Sequence, residues 1–471
     1  MTSNIFTSPI STDEVNALRS DLRGEILLPT DKDYDQMRKV WNGMIDRHPA
    51  LIVRCLGASD IMKSVKFALD HGLTVSVRGG GHNVAGNAVC DGGLMIDLSK
   101  MKSVRADPVN MRADAEPGAT WRQLDLETQV HGLALTGGLV STTGIAGFTL
   151  GGGIGWLVRK YGLALDNLVS VDLVTAEGKL VKASMAENTD LFWGIRGGGG
   201  NFGIVTSFEF ELHPVGPIIL GGLIAFRAED GRELLKFYRN YVKDAPDELT
   251  TLVVYLTAPP LPFLPKEVIG THLIAIALCY CGKLEDGQKL LAPLRNFGSP
   301  VADVIQPMPY TVLQSLLDEA APAGLQDYWK SIYLSGLDDE SIETILRYGK
   351  SISSPLSAIH IHQLGGAMRR IGDDATAFGH RDAPFALNIV SCWQNPSENE
   401  IHMKWTRDFF AAMQKFAAGV YVNFMGEEDA GRVKEAYEKE KYQKLVMLKD
   451  KYDPTNFFRM NQNILPSRGS K

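Results

Sequence analysis

With 471 residues and 45% hydrophobic side chains, the chain is long enough to bury a large core and to divide into two intertwined domains. Acidic side chains outnumber basic ones, 55 to 48, so the net charge of −7 leaves no basic footprint for a nucleic acid. No apolar run is long enough to span a bilayer, Met1 to Leu28 lacks a basic segment followed by an apolar one, and five scattered cysteines match neither a zinc site nor a disulfide framework, which together point to a reducing cytoplasm with no membrane partner and no metal.

Taken in chain order, Ser11 and Glu14 have capping-box spacing ahead of an apolar-periodic helix through Val15, Leu18 and Leu22. Leu51 to Cys55 reads as a buried strand, followed by a helix from Ser59 that stops at Gly72. Thr74 to Val77 is a second strand, and it runs straight into Arg78-Gly79-Gly80-Gly81-His82-Asn83. Three glycines let the chain turn through positive φ and let backbone N–H groups converge on an anion; a plain hairpin turn beside an incidental histidine is the blander alternative. The lysine and hydroxyl of a triphosphate loop are absent. Leu94 to Leu98 returns as a strand, and Thr120 with Gln123 caps a helix ending near Gly132.

Gly137 to Tyr161 is so dense in glycine that no helix is expected in it. Either its backbone wraps a large flat ligand or it is a mobile loop; the interleaved apolar residues favour the first. Gly198, Gly200 and Gly203 satisfy a G-x-G-x-x-G spacing, but a helix (Asp190 to Ile195) precedes them and a strand (Ile204 to Phe210) follows. A dinucleotide fingerprint requires the opposite order, so NAD is excluded. After Pro214, strands (Gly221 to Phe226, Thr251 to Leu256, His272 to Cys281, Leu356 to Gln363, Phe385 to Cys392) alternate with amphipathic helices (Gly231 to Val242, Asp286 to Leu294), the pattern of an α+β domain with a largely antiparallel sheet. Cys279 and Cys281 should share a face and pack in the core. Ser397 and Glu400 cap a helix to about Ala417, and the mixed charges of Glu427 to Lys451 read as a solvated helix face.

Arg78 to His82 resembles the pyrophosphate loop of FAD-linked oxidases of the vanillyl-alcohol oxidase superfamily, in its berberine-bridge-enzyme-like and 6-hydroxynicotine-oxidase-like branch. The resemblance extends over Gly132 to Val205 and over the tail from Tyr421 to Pro466, including Tyr452-Asp453-Pro454-Thr455-Asn456-Phe457-Phe458 and Asn461-Gln462-Asn463. It implies a two-part PCMH-type FAD-binding domain (residues 1–213 and 420–471) around an α+β substrate domain (residues 214–419). It also implies that FAD is joined through its 8α-methyl to His82, with Arg78, Gly79, Gly80, Gly81, Asn83, Gly86, Val140, Ser141, Thr142, Thr143, Gly144, Gly147, Gly151, Gly152, Gly200, Asn201, Gly203, Ile204, Val205, Asn461 and Asn463 around the cofactor. Attachment requires a neutral imidazole, one whose pKa is not raised by a buried carboxylate.

Many relatives make a second link through a cysteine; that position falls on Val140, so one bond is expected. The pattern Tyr-x-Asn-Tyr, whose last tyrosine is catalytic in several members, reads Tyr421-Val422-Asn423-Phe424 here, and Phe424 has no proton to exchange. Tyr421, His362 and Gln363 are the remaining candidates for the catalytic site, with His360 on the same strand face as His362. The implied activity is an oxidase taking a hydride from a C–N or C–O centre of a small molecule and passing the electrons to O2. A flavin dehydrogenase with another acceptor and a catalytically silent flavin-binding protein are the alternatives. Thr143 falls on the gatekeeper position, where a small residue goes with oxidase behaviour. Neither the substrate nor the oligomeric state is legible.

Overall fold

Strands β1 (Glu25–Leu27), β2 (Leu51–Arg54), β3 (Val75–Arg78) and β4 (Leu94–Asp97) form the first sheet, in the order β1-β2-β4-β3, in a computed structural model that describes residues 10–467. The first nine residues of the expected 1–213 segment therefore lie outside the description. β2, β4 and β3 are parallel, and the helix Ala58–Asp70 makes the crossover between β2 and β3. Both glycine-loop flanks are therefore set by a buried parallel sheet. The Ser11–Glu14 capping box forms as the spacing predicts, with Val15 and Leu18 buried against this sheet.

A second, antiparallel sheet follows: β5 (Val104–Asp107), β6 (Arg112–Ala115), β7 (Leu168–Val174), β8 (Leu180–Ser184) and β9 (Ile204–Glu211), ordered β5-β6-β9-β7-β8. Ile204 packs into the core of the first sheet and Val205 into that of the second, so β9 ties the two together. The third sheet is large and antiparallel. Its long strands are β10 (Ile218–Arg227), β11 (Leu249–Thr257), β12 (His272–Tyr280), β13 (Gln326–Leu334), β14 (Ala358–Gln363) and β15 (Phe385–Trp393), ordered β10-β12-β11-β14-β15-β13. One face is apolar and covered by helices: Ile332, Leu334, Ile359, Ile361, Leu387 and Ile389 pack with Leu234, Ile345 and Phe409. Alternation turns the other face toward the glycine-rich half of the chain.

Three expectations are corrected. Helices do form inside the glycine-dense segment, at Ile145–Leu150 and Val158–Tyr161. Gly144 and Gly151 fall at the two ends of the first, only Gly147 is interior, and burial of Ile145, Thr149 and Leu150 outweighs its low propensity. The late helix begins at Asn399 and ends at Met413; Ser397 instead lies in a 3-10 turn, its N–H held by the Asn395 side chain. The run Glu427 to Lys451 is not one solvated face. It is broken at Glu438, whose φ is +59°, and Lys441 and Lys449 are buried. Lys449 Nζ donates to Asp453 (2.7 Å) and to the carbonyls of Asn201 (3.0 Å) and Phe458 (2.9 Å), while Asp453 accepts from the N–H groups of Phe457 and Phe458. Such a pair holds only because each charge is fully hydrogen-bonded. It pins the C-terminal tail to the loop that precedes β9. Cys279 is buried in the core, with Cys281 just beyond the end of β12.

Candidate functional site

Two glycine-rich segments meet backbone to backbone. A Cβ on Gly80 would lie 2.4 Å from the Gly144 nitrogen, and one on Gly144 would lie 2.5 Å from the Gly80 nitrogen. A Cβ on Gly79 would strike the Pro117 carbonyl at 2.7 Å. No side chain fits either contact, which is the physical reason for the glycines. Arg78 spends its guanidinium on the buried Asp97 and on the carbonyls of Met37 and Lys39, so it sets the strand end from which the loop departs.

His82 stands at this junction, half-buried. Its ring stacks on Trp41 (centroids 5.1 Å, planes 19° apart), and its Nε2 lies 3.1 Å from the Thr142 hydroxyl. Burial lowers its pKa to about 4, and the nearby Asp318 carboxylate, whose field favours the charged ring, does not offset it. The imidazole is neutral. Asp318 is itself held by the Ser141 N–H (2.7 Å) and hydroxyl (2.6 Å), so a loop after β12 straps the Val140–Gly144 turn.

The expected cofactor residues divide into two groups. Thr142 and Gly147 are exposed; Asn83, Val140 and Thr143 are half-buried; and beside Gly147 and Gly200 a Cβ would meet nothing within 4 Å. The Oδ1 atoms of Asn461 and Asn463 are buried without a protein partner. Open space along glycine backbone, edged by unpaired acceptors and ending at a neutral histidine, fits a long flat dinucleotide such as FAD. The second group builds the frame. Gly86 (φ +73°) abuts Ile45, Gly151 abuts Asn423, Gly152 abuts Phe378 and Tyr421, and Gly203 abuts Leu173. Asn201 gives its amide to the Gly198 and Gln462 carbonyls and accepts from the Ile464 N–H. A second cavity of about 380 Å³, lined in part by Arg47, Asn87, Cys90 and Asn461, opens at the tail.

Opposite lies the other face of the large sheet, packed at Tyr333 against Ile154, Phe378 and Tyr421. Register places Ser331, Asn388 and His360 in one row across β13, β15 and β14, with Tyr333, Ala386 and His362 in the next. Ser331 Oγ, Tyr333 OH, Asn388 Oδ1 and His362 Nε2 are all buried with no protein partner. Four unpaired polar atoms on neighbouring strands mark a surface prepared for something else to bond. Burial pushes the pKa of His360 to about 4 and of His362 to about 3, so both rings are neutral, and it pushes the carboxyl of Asp327, which accepts from the Trp329 indole on the same face, up to about 7. An aromatic chain joins the two sides: His82, Trp41, Trp329 (5.6 Å from Trp41), Phe424 (6.1 Å from Trp329), then His362 and Tyr421 at 5.5 and 4.8 Å from Phe424.

Tyr421 is buried under the glycine segment, its oxygen accepting from the Gly153 N–H (2.8 Å) and the Asn423 amide (2.9 Å), and burial raises its pKa to about 12. Gln363 points to the other sheet face from His362, and its Oε1 accepts from the N–H (3.1 Å) and hydroxyl (2.9 Å) of Thr251. Sequence reasoning missed Trp41, Asp318, Trp329, Ser331, Tyr333 and Asn388. Asn388 and Ser331 had a readable signal, a small polar residue at an inward position of an otherwise apolar strand. The others are brought to the site by contacts far apart in sequence.

Fold and site together define an FAD-binding flavoprotein. Residues 49–184 match the FAD binding domain family and residues 420–465 the berberine and berberine-like family. An FAD-linked oxidoreductase of Dictyostelium discoideum is 32% identical, covering 97% of this chain and 98% of its own. The structure of 6-hydroxy-D-nicotine oxidase from Arthrobacter nicotinovorans superposes with a TM-score of 0.86 at 30% identity, over 98% of this chain and 99% of that one. Glucooligosaccharide oxidase from Acremonium strictum, a protein with a 6-S-cysteinyl, 8α-N1-histidyl FAD, gives 0.84 at 25% identity over 96% and 98%. The chain belongs to the FAD-linked oxidoreductases of the berberine-bridge-like branch, with their PCMH-type fold. Among the described residues no helix is long and apolar enough to cross a membrane.

Proposed function

We propose that the protein is an oxidase that removes a hydride from a C–N or C–O centre of a small, uncharged molecule, with FAD attached covalently to His82. The observation that carries the reading is the neutral, half-buried His82 at the Gly80–Gly144 contact, facing a sheet surface of unpaired neutral polar groups. Held along this glycine backbone, FAD would supply the two-electron acceptor, with O2 as the oxidant reduced to hydrogen peroxide. We assign residues 1–213 and 420–471 to cofactor binding and 214–419 to substrate.

The protein's own groups bind and orient. Asn388 Oδ1 accepts a hydrogen bond from the substrate, and Ser331 and Tyr333 offer hydroxyls beside it. Trp329 and Phe424 wall the cleft and exclude water. Tyr421 and His362 border the substrate: their pKa values, about 12 and about 3, lie far from neutrality, so each holds its proton state and positions rather than exchanges. Gln363 acts from behind the sheet. With both histidines neutral, an amine substrate that binds neutral loses hydride without a strong base. With valine at position 140, no cysteinyl link accompanies the histidyl one. A panel of amines, alcohols and sugars, scored anaerobically by flavin bleaching, tests the reading; bleaching by charged acids alone would overturn the substrate assignment.

A further inference from the structure

Behind the proposed substrate face, at the seam between the glycine segment and the large sheet, is a small cavity of about 10 Å³. Leu139, Ile154 and Leu252 give it apolar walls, and Trp156, Thr250, His362 and Gln363 line it too. Each of these four is at least nine-tenths buried, and each has one polar atom without a protein partner: Trp156 Nε1, Thr250 Oγ1, His362 Nε2 and Gln363 Nε2. Leaving four such atoms dry would cost about 1–3 kcal/mol apiece.

We infer that this cavity is a dedicated site for one water molecule, which locks His362 as a hydrogen-bond donor. The size is that of a single water, and a site needs two to four polar partners to hold one. The chemistry of Trp156 Nε1, Thr250 Oγ1 and His362 Nε2 matches a water's hydrogen bonds. The indole N–H of Trp156 only donates, so the water accepts from it. It gives its own hydrogens to the Thr250 hydroxyl oxygen and to His362 Nε2. His362 then carries its proton on Nδ1, and the imidazole acts as a donor and not as a base. That last step bears on catalysis through the proposed substrate face; the water site itself stands without it.

A wild-type crystal structure at a resolution that orders solvent tests the site directly. The expected result is one water within about 3.2 Å of Trp156 Nε1, Thr250 Oγ1 and His362 Nε2. An empty cavity, or side chains closed onto one another, overturns it. In solution, 15N-histidine NMR, with His362 assigned by His362→Gln, should show Nε2 unprotonated and Nδ1 protonated. Thr250→Val and Trp156→Phe each remove one water partner, and each should shift the His362 signals toward mixed tautomers. A wild-type Nε2–H tautomer, or His362 signals unmoved in both variants, counts against the proposal. Flavin content and anaerobic bleaching, read on the same samples, separate loss of the water from failure of the oxidase reading.

Discussion

His82 and Trp41 stack face to face at 5.1 Å, and the Trp41 backbone N–H is bonded to the Gly81 carbonyl next door. Trp41 also donates its indole N–H to the Ala321 carbonyl, so one residue fixes the imidazole, the glycine loop and the strap that carries Asp318. Protein precipitated with acid should therefore keep its yellow flavin, and His82→Ala should release it as free FAD. Trp41→Ala removes the stack, worth about 0.5–1.5 kcal/mol beyond area burial, and should slow covalent incorporation into apoprotein several-fold while Trp41→Phe does not. Free FAD in the acid supernatant of wild-type protein refutes the covalent bond.

Acid stability follows from the same burial. Histidine in an unfolded chain titrates near 6.5, whereas His360 is held at about 4 and His362 at about 3. Across the window between those values the unfolded state binds protons that the native state refuses. Stability thus rises with pH up to about 6.5 and is indifferent to these groups above it, each contributing up to about 1.4 kcal/mol per pH unit inside the window. Urea midpoints measured near pH 5 and pH 7 should differ less in His360→Gln than in the wild type. Equal differences in the two proteins would mean that His360 already titrates normally.

Asn388 is the side chain most exposed to a functional test. Its Oδ1 has no protein partner and sits in register between Ser331 and His360. Asn388→Leu keeps the branched shape and removes the acceptor, and anaerobic flavin reduction should fall by more than about tenfold, since a site built around a hydrogen bond rejects a binding mode that lacks it. Ser331→Ala should be milder. Unimpaired reduction in Asn388→Leu moves the substrate off this face.

The strand–helix–strand order, the closing strand, the capping boxes at Ser11 and Thr120 and the alternating strands of the large sheet were readable, because each depends on local periodicity or on caps three residues apart. The glycine–histidine loop was readable because glycines and histidine are contiguous. What could not be read lies in contacts such as Ser141 with Asp318 and Trp41 with Ala321, whose partners are 177 and 280 residues apart. The helix at Ile145–Leu150 was missed for the opposite reason: propensity argued against it locally, and burial of one face overrode propensity. Lys449 was misjudged because a buried, fully bonded lysine and a solvated one are written with the same letter.

That lysine makes a stability prediction. Lys449 and Asp453 are fully buried, and the ammonium also holds the Asn201 and Phe458 carbonyls. Lys449→Met leaves an uncompensated carboxylate and two unpaired carbonyls, and should lower stability by about 3–5 kcal/mol. The double variant with Asp453→Leu should recover part of that loss. A single-variant loss below about 1 kcal/mol by urea denaturation rules out a structural role for the pair.

Thr143 decides the fate of the electrons in the proposed oxidase. Its N–H donates to the Val140 carbonyl and its own carbonyl accepts from the Trp121 N–H, so the backbone of the turn is fixed independently of the side chain. The next residue, Gly144, is pressed against Gly80, which prevents the turn from backing away from the cofactor. With Thr143 at the gatekeeper position, a side chain larger than threonine is expected to crowd the cleft. Threonine is about the size of valine and leaves room for a diatomic gas; leucine adds a methylene. Thr143→Leu should slow reoxidation of the reduced flavin by air at least about tenfold, the scale of a lost 1.4 kcal/mol, while leaving the anaerobic reductive half-reaction within a factor of about two. Thr143→Val, which removes the hydroxyl and keeps the size, should reoxidise as the wild type does. Stopped-flow mixing of dithionite-reduced enzyme with air-saturated buffer, with peroxide assayed at the end, reads both variants. Slow wild-type reoxidation in air, together with rapid reoxidation by a quinone dye, would reverse the reading to a dehydrogenase.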